Sequence, residues 1–384
     1  MREPDFVDEC YAGKDLSLLK KLTLVIPTYN RNYYLSRCLW YHAHFPFGEI
    51  IVADSSPEEK KVVNRETVAK VREMFGANVR YLEYEPETEK YGGDIYRKWG
   101  DAIQHVETEY SQICADKEFL IPTTQNSIIL FLEQNSDYHV ADGNFYQVIH
   151  DSKNRPTLNA WRPKQFSLDN DNPVIRLMEA MNKCAHPLMS IHVSIYHKLI
   201  YAQYLEAKIV SLAFGEIYLE LLDIIMNKQF HNRDIPYLYR DMTEGYLNNH
   251  PNLLNSSFMR YPRAHMLPVE VFGCDRQALI ERLFDYYSSF GKLPKEHFVK
   301  IIDQYNYTRW KHGHRLMSIN IINNIWCCSP NWLKYYTKVI LEIVASNSYQ
   351  KTQRAVNSPE SQCIFDAINK LYKYAKDDLP MDLI

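Results

Sequence analysis

The sequence is short of glycine and lacks the motifs that glycine builds. Only 12 of its 384 residues are Gly. No G-x-G-x-x-G follows an apolar run, which excludes the Rossmann dinucleotide fingerprint, and no G-x-x-x-x-G-K-[ST] occurs, which excludes P-loop chemistry. The G-x-S-x-G elbow of α/β-hydrolases is absent. Neither H-E-x-x-H nor a Cys/His zinc spacing occurs among the 14 histidines and eight cysteines. None of the cysteines forms a C-x-x-C pair, and the adjacent Cys327 and Cys328 are ill placed to share one zinc ion. All eight read as thiols in a reducing compartment. An excess of either charge is missing too. The net charge is −3 and the pI is near 6.5, which disfavours nucleic acid or an anionic membrane as partner. The opening residues MREPDFVDECYAGKD have no apolar core of the kind a signal peptide needs, and no apolar run is long enough to span a membrane. A cytoplasmic location is expected. Repeats and low-complexity segments are absent.

What is present is a core. Hydrophobic residues make up 46% and aromatics 13%, with 29 Tyr, so a rigid, packed globular chain is expected rather than disorder. Tyr also offers a flat face with a polar tip, which suits sugars and bases. "LTLVI" (22–26) is a continuous apolar run, the mark of a strand buried on both faces, and Pro27 is expected to end it. A helix over about 31–45 places Leu35, Cys38, Leu39 and Ala43 on one face. "GEIIVADSS" (48–56) reads as a second strand, Pro57 to about 75 as a charged helix, and "VRYLEY" (79–84) as a third strand. "YGGDIYRKWGDAIQHV" (91–106) reads as a turn and helix, and "YSQICADKEFLIP" (110–122) as a fourth strand ending in an acidic corner. This alternation predicts an α/β, Rossmann-like fold with a mostly parallel sheet, helices on both faces and right-handed crossovers.

Strand candidates follow at 137–143 and 145–150, then a polar loop over 151–172, helices near 173–183, 193–206 and 212–228, and a short strand at 236–241. A loop is expected over 245–268. From about 275 only amphipathic helices are legible. The expected division is a sheet-based domain over 1–245 and a helical C-terminal domain over 246–384, on the acceptor side or serving homo-oligomerisation.

In an open parallel sheet, ligands bind beyond the carboxyl ends of the strands. Three polar corners fall there: "PTYNR" (27–31), "ADSSPEE" (53–59) and "ADKE" (115–118). Asp116 and Glu118 lie two apart. On an extended backbone they project to one side and are candidates to hold Mg²⁺ or Mn²⁺ with phosphates completing the shell. Such a metal would neutralise a departing diphosphate; a solvated acidic corner is the plainer alternative. Lys117 is placed to contact phosphate. Asp54 is a candidate to accept hydrogen bonds from a base or ribose, although D-S-S-P followed by two glutamates is also good helix-capping chemistry.

"LTLVIPTYNRNYYLSRCL", "EIIVADSSPEE" and "YSQICADKEFLIP" together resemble the family-2-like group of GT-A glycosyltransferases. The resemblance covers roughly residues 20–150. It implies a GT-A fold and transfer of a sugar from a nucleotide-diphosphate sugar to a hydroxyl acceptor such as a glycan, with metal help and inversion. The acceptor's membrane would then be a place of peripheral attachment. Carried over, Pro27, Thr28 and Tyr29 flank the nucleobase and Arg31 lies near phosphate or ribose. Asp54 binds the base, Lys98 faces the nucleotide, Asp116 contacts ribose or metal, and Glu118 takes the metal-ligand position. The family's usual D-x-D reads Asp116-Lys117-Glu118 here, a departure at the metal motif. An inverting transfer needs a general base. "SLAFGEIYLELLDII" (211–225) offers Glu216, the preferred base, and Glu220, four apart on one helical face. Asp137, Asp142 and Asp241 are weaker alternatives, and Arg240 is placed either for the diphosphate or for an ordinary salt bridge. The histidines read as structural or acceptor-side. Two other readings compete. One is a GT-A-like binding or scaffold protein without turnover. The other is a sugar-nucleotide pyrophosphorylase, which should carry a Gly-rich first loop that PTYNR is not.

Overall fold

The computed structural model describes residues 5–86, 95–150, 156–161, 166–183, 187–207, 209, 212–241, 269–289, 291, 293–304 and 359–372. After a short helix, α1 (Phe6–Tyr11), the apolar runs form strands β1 (Leu22–Thr28), β2 (Glu49–Asp54), β3 (Val79–Glu83) and β4 (Tyr110–Ile113). They lie side by side in the order β3-β2-β1-β4, all parallel. β1 and β2 are buried along their whole length, which is why they read as unbroken apolar runs instead of alternating ones. The links are α2 (Asn32–His42), α3 (Glu58–Phe75) and α4 (Ile95–Gln104). α3 stops at Gly76, whose φ of 64° puts it in the left-handed region that glycine enters without cost. Pro27 does not end β1. The strand continues through Thr28, which pairs in register with Asp54.

The other half of the sheet is mixed. Beyond β4 come β8 (Ile191–Val193) and β6 (Tyr138–His150), each antiparallel to its predecessor, then β9 (Lys228–Asp241), parallel to β6, and β5 (Glu118–Leu120), antiparallel to β9. β7 (Pro156–Trp161) pairs with β6. Several boundaries expected from sequence move here. Residues 110–122 are not one strand: the chain turns at Asp116 and Lys117 and resumes as β5 on a different neighbour. The two strand candidates at 137–150 are one strand. The expected loop over 151–172 contains β7, and "PYLYRD" is only the end of the longer β9. These changes are tertiary in origin, because strand pairing recruits segments whose own pattern is weak.

Helices α5 (Pro122–Gln134), α6 (Pro173–Lys183), α7 (Ser194–Glu206) and α8 (Leu212–Met226) cover the sheet. Gly215 lets α8 approach closely: a Cβ there would sit 2.8 Å from the Tyr204 hydroxyl and 3.0 Å from the Tyr96 ring. Of the expected helical C-terminal region, α9 (Val269–Ser288), residues 295–304 and α10 (Pro359–Tyr372) are described. The boundary near 245 and the expected loop over 245–268 lie outside the described residues. α9 and α10 share one apolar core with the sheet, through Leu279, Leu283, Ile364 and Phe365. Among the described residues no helix is long and apolar enough to cross a membrane.

Candidate active site

The sheet directions place the carboxyl ends of β1, β2, β3, β4 and β9, with the start of antiparallel β5, on one rim. Thr28 is its hub. It pairs with Asp54 across the strands. Its hydroxyl donates to Asp116 Oδ2 at 2.9 Å, and its carbonyl accepts from Lys98 Nζ at 2.9 Å. Lys98 also donates to Ser55 Oγ at 2.8 Å. Thus four residues singled out from sequence, Thr28, Asp54, Lys98 and Asp116, meet at one place. Lys98 gets there from the first turns of α4.

The PTYNR corner is a tight turn. Asn30 has φ of 54°, a conformation Asn tolerates better than most side chains. Its N–H donates to Ser56 Oγ at 2.8 Å, which ties this corner to the next one. Tyr29 is half-buried and Pro27 buried. Arg31 turns inward and donates from Nη1 to Asp116 Oδ1 at 3.0 Å.

Asp54 is fully buried and ringed by uncharged donors. The Ser56 N–H reaches Oδ1 at 2.7 Å, while the Asn64 amide and the Tyr81 hydroxyl reach Oδ2 at 2.7 and 2.5 Å. It does not cap α3, where Pro57 is the cap residue and no side chain serves.

Asp116 and Glu118 face cations instead. The backbone is turned, not extended, between them, so the extended stretch that the same-side expectation assumed is absent. Glu118 Oε1 accepts two N–H bonds from Arg240, its register partner on β9. Oε2 accepts the Ala115 N–H at 2.8 Å. Both carboxyls are buried, and all four oxygens have donors. A divalent ion would have to strip Arg31 or Arg240 from its partner. Among the described residues, the groups of three or more His/Cys/Asp/Glu whose donor atoms converge are Cys38–His42–Cys114 and Asp5–Asp8–His44, and neither includes Asp116 or Glu118. The donor set is therefore that of an ion-pair cluster and does not fit the expected Mg²⁺ or Mn²⁺ cage.

More cations stand behind. Arg37, fully buried, donates to Asp241 Oδ2 at 2.6 Å and lies against the rings of Tyr33 and Tyr34. The Asp241 N–H in turn donates to the Lys117 carbonyl at 2.9 Å. The Lys117 ammonium sits 4.2 Å from the centre of the Tyr34 ring. Burial first, and then the Arg31 charge, hold its pKa down at about 8. The Arg37–Asp241 pair went unread in the sequence. Arg37 lies about 200° round α2 from Leu35, outside the Leu35/Cys38/Leu39 side, so no local pattern marked it as buried.

Glu216 and Glu220 lie on α8, which packs against α4. Glu216 is half-buried and Glu220 fully buried. Burial, and next the Glu216 charge, push the Tyr96 phenol upward, and Gly215 lies against the Tyr96 ring, so the start of α8 sits beside the first turn of α4; Lys98 projects from a different side of that helix, about 200° round from Tyr96. Of the weaker acid candidates, Asp241 is the partner of Arg37 described above, and the other two are elsewhere. Asp137 precedes β6 on the opposite rim and pairs with Lys228 at 2.9 Å. Asp142 holds His231 and Ser190. A cavity of about 360 Å³, lined by Asp137, His139, Arg176 and Lys228 among others, also opens on that opposite rim. The histidines have structural partners: His192 bonds Asp223 at 2.9 Å and stacks on His197, which bonds Ser111 at 2.8 Å. Cys10, Cys38, Cys114 and Cys363 are free thiols. His186, the HGH at 312–314, Cys184, Cys327 and Cys328 lie outside the described residues.

No protein-family model matches the sequence, and no curated protein matches it. Among solved structures it is similar to S. aureus TarS 1-349, with 12% identity over 92% of this chain and 91% of that one and a TM-score of 0.47. The same fragment in complex with UDP gives 13% identity, the same coverage and a TM-score of 0.46. Its complex with UDP-GlcNAc gives 13% identity over 92% and 91% of the two chains and a TM-score of 0.47.

Proposed function

We propose that this chain is a GT-A glycosyltransferase that moves a sugar from a nucleotide-diphosphate sugar to a hydroxyl acceptor. The observation that carries the reading is the convergence on Thr28: three polar strand exits and Lys98 meet on the rim where an open α/β sheet binds its ligand. The resemblance of those same exits to the family's motifs supports it. In this reading Tyr29 and Asp54 form the nucleobase end. The Asp54 carboxylate, held by uncharged donors, is the proposed acceptor for a base or ribose donor. Arg31, Lys98 and Asp116 sit along the ribose and phosphates.

Glu216 is the proposed general base. It takes the proton of the acceptor hydroxyl as the oxygen attacks the anomeric carbon, and the bond to the diphosphate breaks on the opposite side, with inversion. Its half exposure beside the start of α4 supports this role over the fully buried Glu220, which we assign to holding α8 in place. A cytoplasmic enzyme, with the C-terminal helices shaping the acceptor side, completes the proposal.

A panel of nucleoside diphosphates and sugar nucleotides, read by thermal shift, tests the donor class. One nucleotide should raise the melting temperature, and the matching sugar nucleotide should be turned over with a hydroxyl acceptor or slowly with water. Glu216→Gln should cut turnover by roughly 10²–10⁴-fold while donor binding stays intact. Full activity in that variant removes Glu216 as base. Nucleotide binding with no turnover on any donor would favour a binding protein, a reading supported by the closed carboxylates of Asp116 and Glu118.

A further inference from the structure

We propose that Cys38, His42 and Cys114 form a closed structural site for one Zn²⁺, with the Glu118 backbone carbonyl as its fourth ligand. The site lies behind the rim and does not depend on the glycosyltransferase reading.

The residues come together from two elements. Cys38 and His42 are four apart on α2, so both project from one side of that helix. Cys114 follows β4 and is fixed there by its N–H bond to the Val25 carbonyl at 2.9 Å. It is 72 residues beyond His42, so no local spacing shows the cluster. All three side chains are sealed from solvent. One donor atom from each lies within 4.8 Å of the other two. Cys38 Sγ is 3.5 Å from His42 Nδ1, and Cys114 Sγ is 3.9 Å from His42 Nε2. Two ligands on a single tetrahedral zinc sit roughly 3.5–3.8 Å apart, so a small contraction closes the cluster on the ion.

The imidazole is already oriented. The Cys38 carbonyl can only accept, and it lies 2.8 Å from Nδ1, so Nδ1 carries the proton. The Leu120 N–H can only donate, and it reaches Nε2 at 3.3 Å, so Nε2 keeps its lone pair. A metal-bound histidine is commonly supported in this way, with its other ring N–H on a backbone carbonyl. The Leu120 bond is long, and the ion would take its place at Nε2. The Glu118 carbonyl is 3.8 Å from Cys38 Sγ and 3.7 Å from Cys114 Sγ, separations that suit two edges of the same tetrahedron.

Charge selects the ion. Two thiolates cancel the two charges of Zn²⁺ and the imidazole is neutral, so the filled site brings no net charge into the core. Cu⁺ in the same place would leave one negative charge buried. Mg²⁺ and Ca²⁺ favour oxygen ligands. Both thiol protons leave as the ion binds, and a site this closed is loaded while the chain folds. The consequence falls on the rim. Glu118 is also the residue whose carboxylate pairs with Arg240, so the ion would pin the turn at Asp116 and Lys117 to α2 from behind.

The test is metal analysis of the full chain, produced with zinc and dialysed into metal-free buffer. About one zinc per chain should be retained. Cys38→Ser and Cys114→Ser should each lower that content by roughly tenfold or more, through loss of a ligand. Cys10→Ser, which removes a thiol outside the cluster, should leave it unchanged. The chain refolded with Co²⁺ should show a thiolate-to-cobalt absorption band and the visible bands of tetrahedral cobalt. No retained zinc and no cobalt bands, or metal content indifferent to Cys38→Ser and Cys114→Ser, overturns the proposal. Alkylation of the unaltered chain in mild urea, read peptide by peptide, decides the matter even if a variant fails to fold. Zinc at ten times its Kd should slow labelling of Cys38 and Cys114 together by roughly tenfold and leave Cys10 unaffected. Zinc that protects neither Cys38 nor Cys114 overturns the proposal as well.

Discussion

The two acidic corners of the rim are built from opposite materials. At the end of β2, Asp54 accepts hydrogen bonds from a backbone N–H, an amide and a phenol, all uncharged. At the end of β4, Asp116 and Glu118 accept from Arg31 and Arg240, with Arg37–Asp241 behind them. Both corners satisfy buried carboxylates, but they leave different fields at the surface. The first offers a carboxylate held by neutral groups, with Lys98 beside it on Ser55, and suits a neutral ligand edge with N–H or O–H donors. The second sets each carboxylate against an arginine and turns two partly exposed guanidiniums toward the surface. Two carboxylate corners one strand apart can therefore serve opposite ends of one nucleotide.

Stability measurements can break that comparison. The largest effect belongs to the cationic corner. Arg37→Met leaves Asp241 buried without its partner, and urea denaturation should show a loss of about 3–5 kcal/mol. Asp54→Asn keeps most of its neutral donors paired and should cost only about 1–2 kcal/mol. Equal losses would mean that the two corners do not differ as described.

A third region sharpens the contrast. His197 is stacked on His192 where the amino end of β4 meets the carboxyl end of β8. Burial first, and then the His192 ring, lower its pKa well below the ordinary value. The folded protein therefore refuses a proton that the unfolded chain accepts below about pH 6.5. Stability should be full above that pH and fall as pH drops below it, by up to about 1.4 kcal/mol per pH unit. His197→Gln, which retains a donor for Ser111, should flatten the slope. An unchanged slope in His197→Gln would place the acid sensitivity elsewhere.

The parallel half of the fold was legible because β1 and β2 are buried on both faces and leave unbroken apolar runs. The polar exits were legible for the same reason, since a run of Val and Ile that ends in Thr-Tyr-Asn-Arg or Asp-Ser-Ser marks where a strand leaves the core. The second half was harder. β8 spans only Ile191–Val193, too short for any period to show, and β7 is held by pairing with β6 instead of by its own pattern. The break after β4 is enforced by partners far along the chain: Asp116 is held by Thr28 and Arg31, and Glu118 by Arg240, 122 residues away. No local pattern encodes such pairs. That is why a D-x-E spacing suggested a metal cage where the folded chain built two ion pairs.

α10 bears on the site without touching it. Ser361 bonds the Tyr239 hydroxyl, and Phe365 lies edge-on to the Tyr239 ring. Tyr239 immediately precedes Arg240, and successive side chains of a strand point to opposite faces. The tail helix therefore grips one side of β9 at the place where the other side presents its guanidinium. Lifting that helix away would slacken the strand at this point, so a lesion more than a hundred residues downstream of Arg240 would register as a misaimed charge in the pocket.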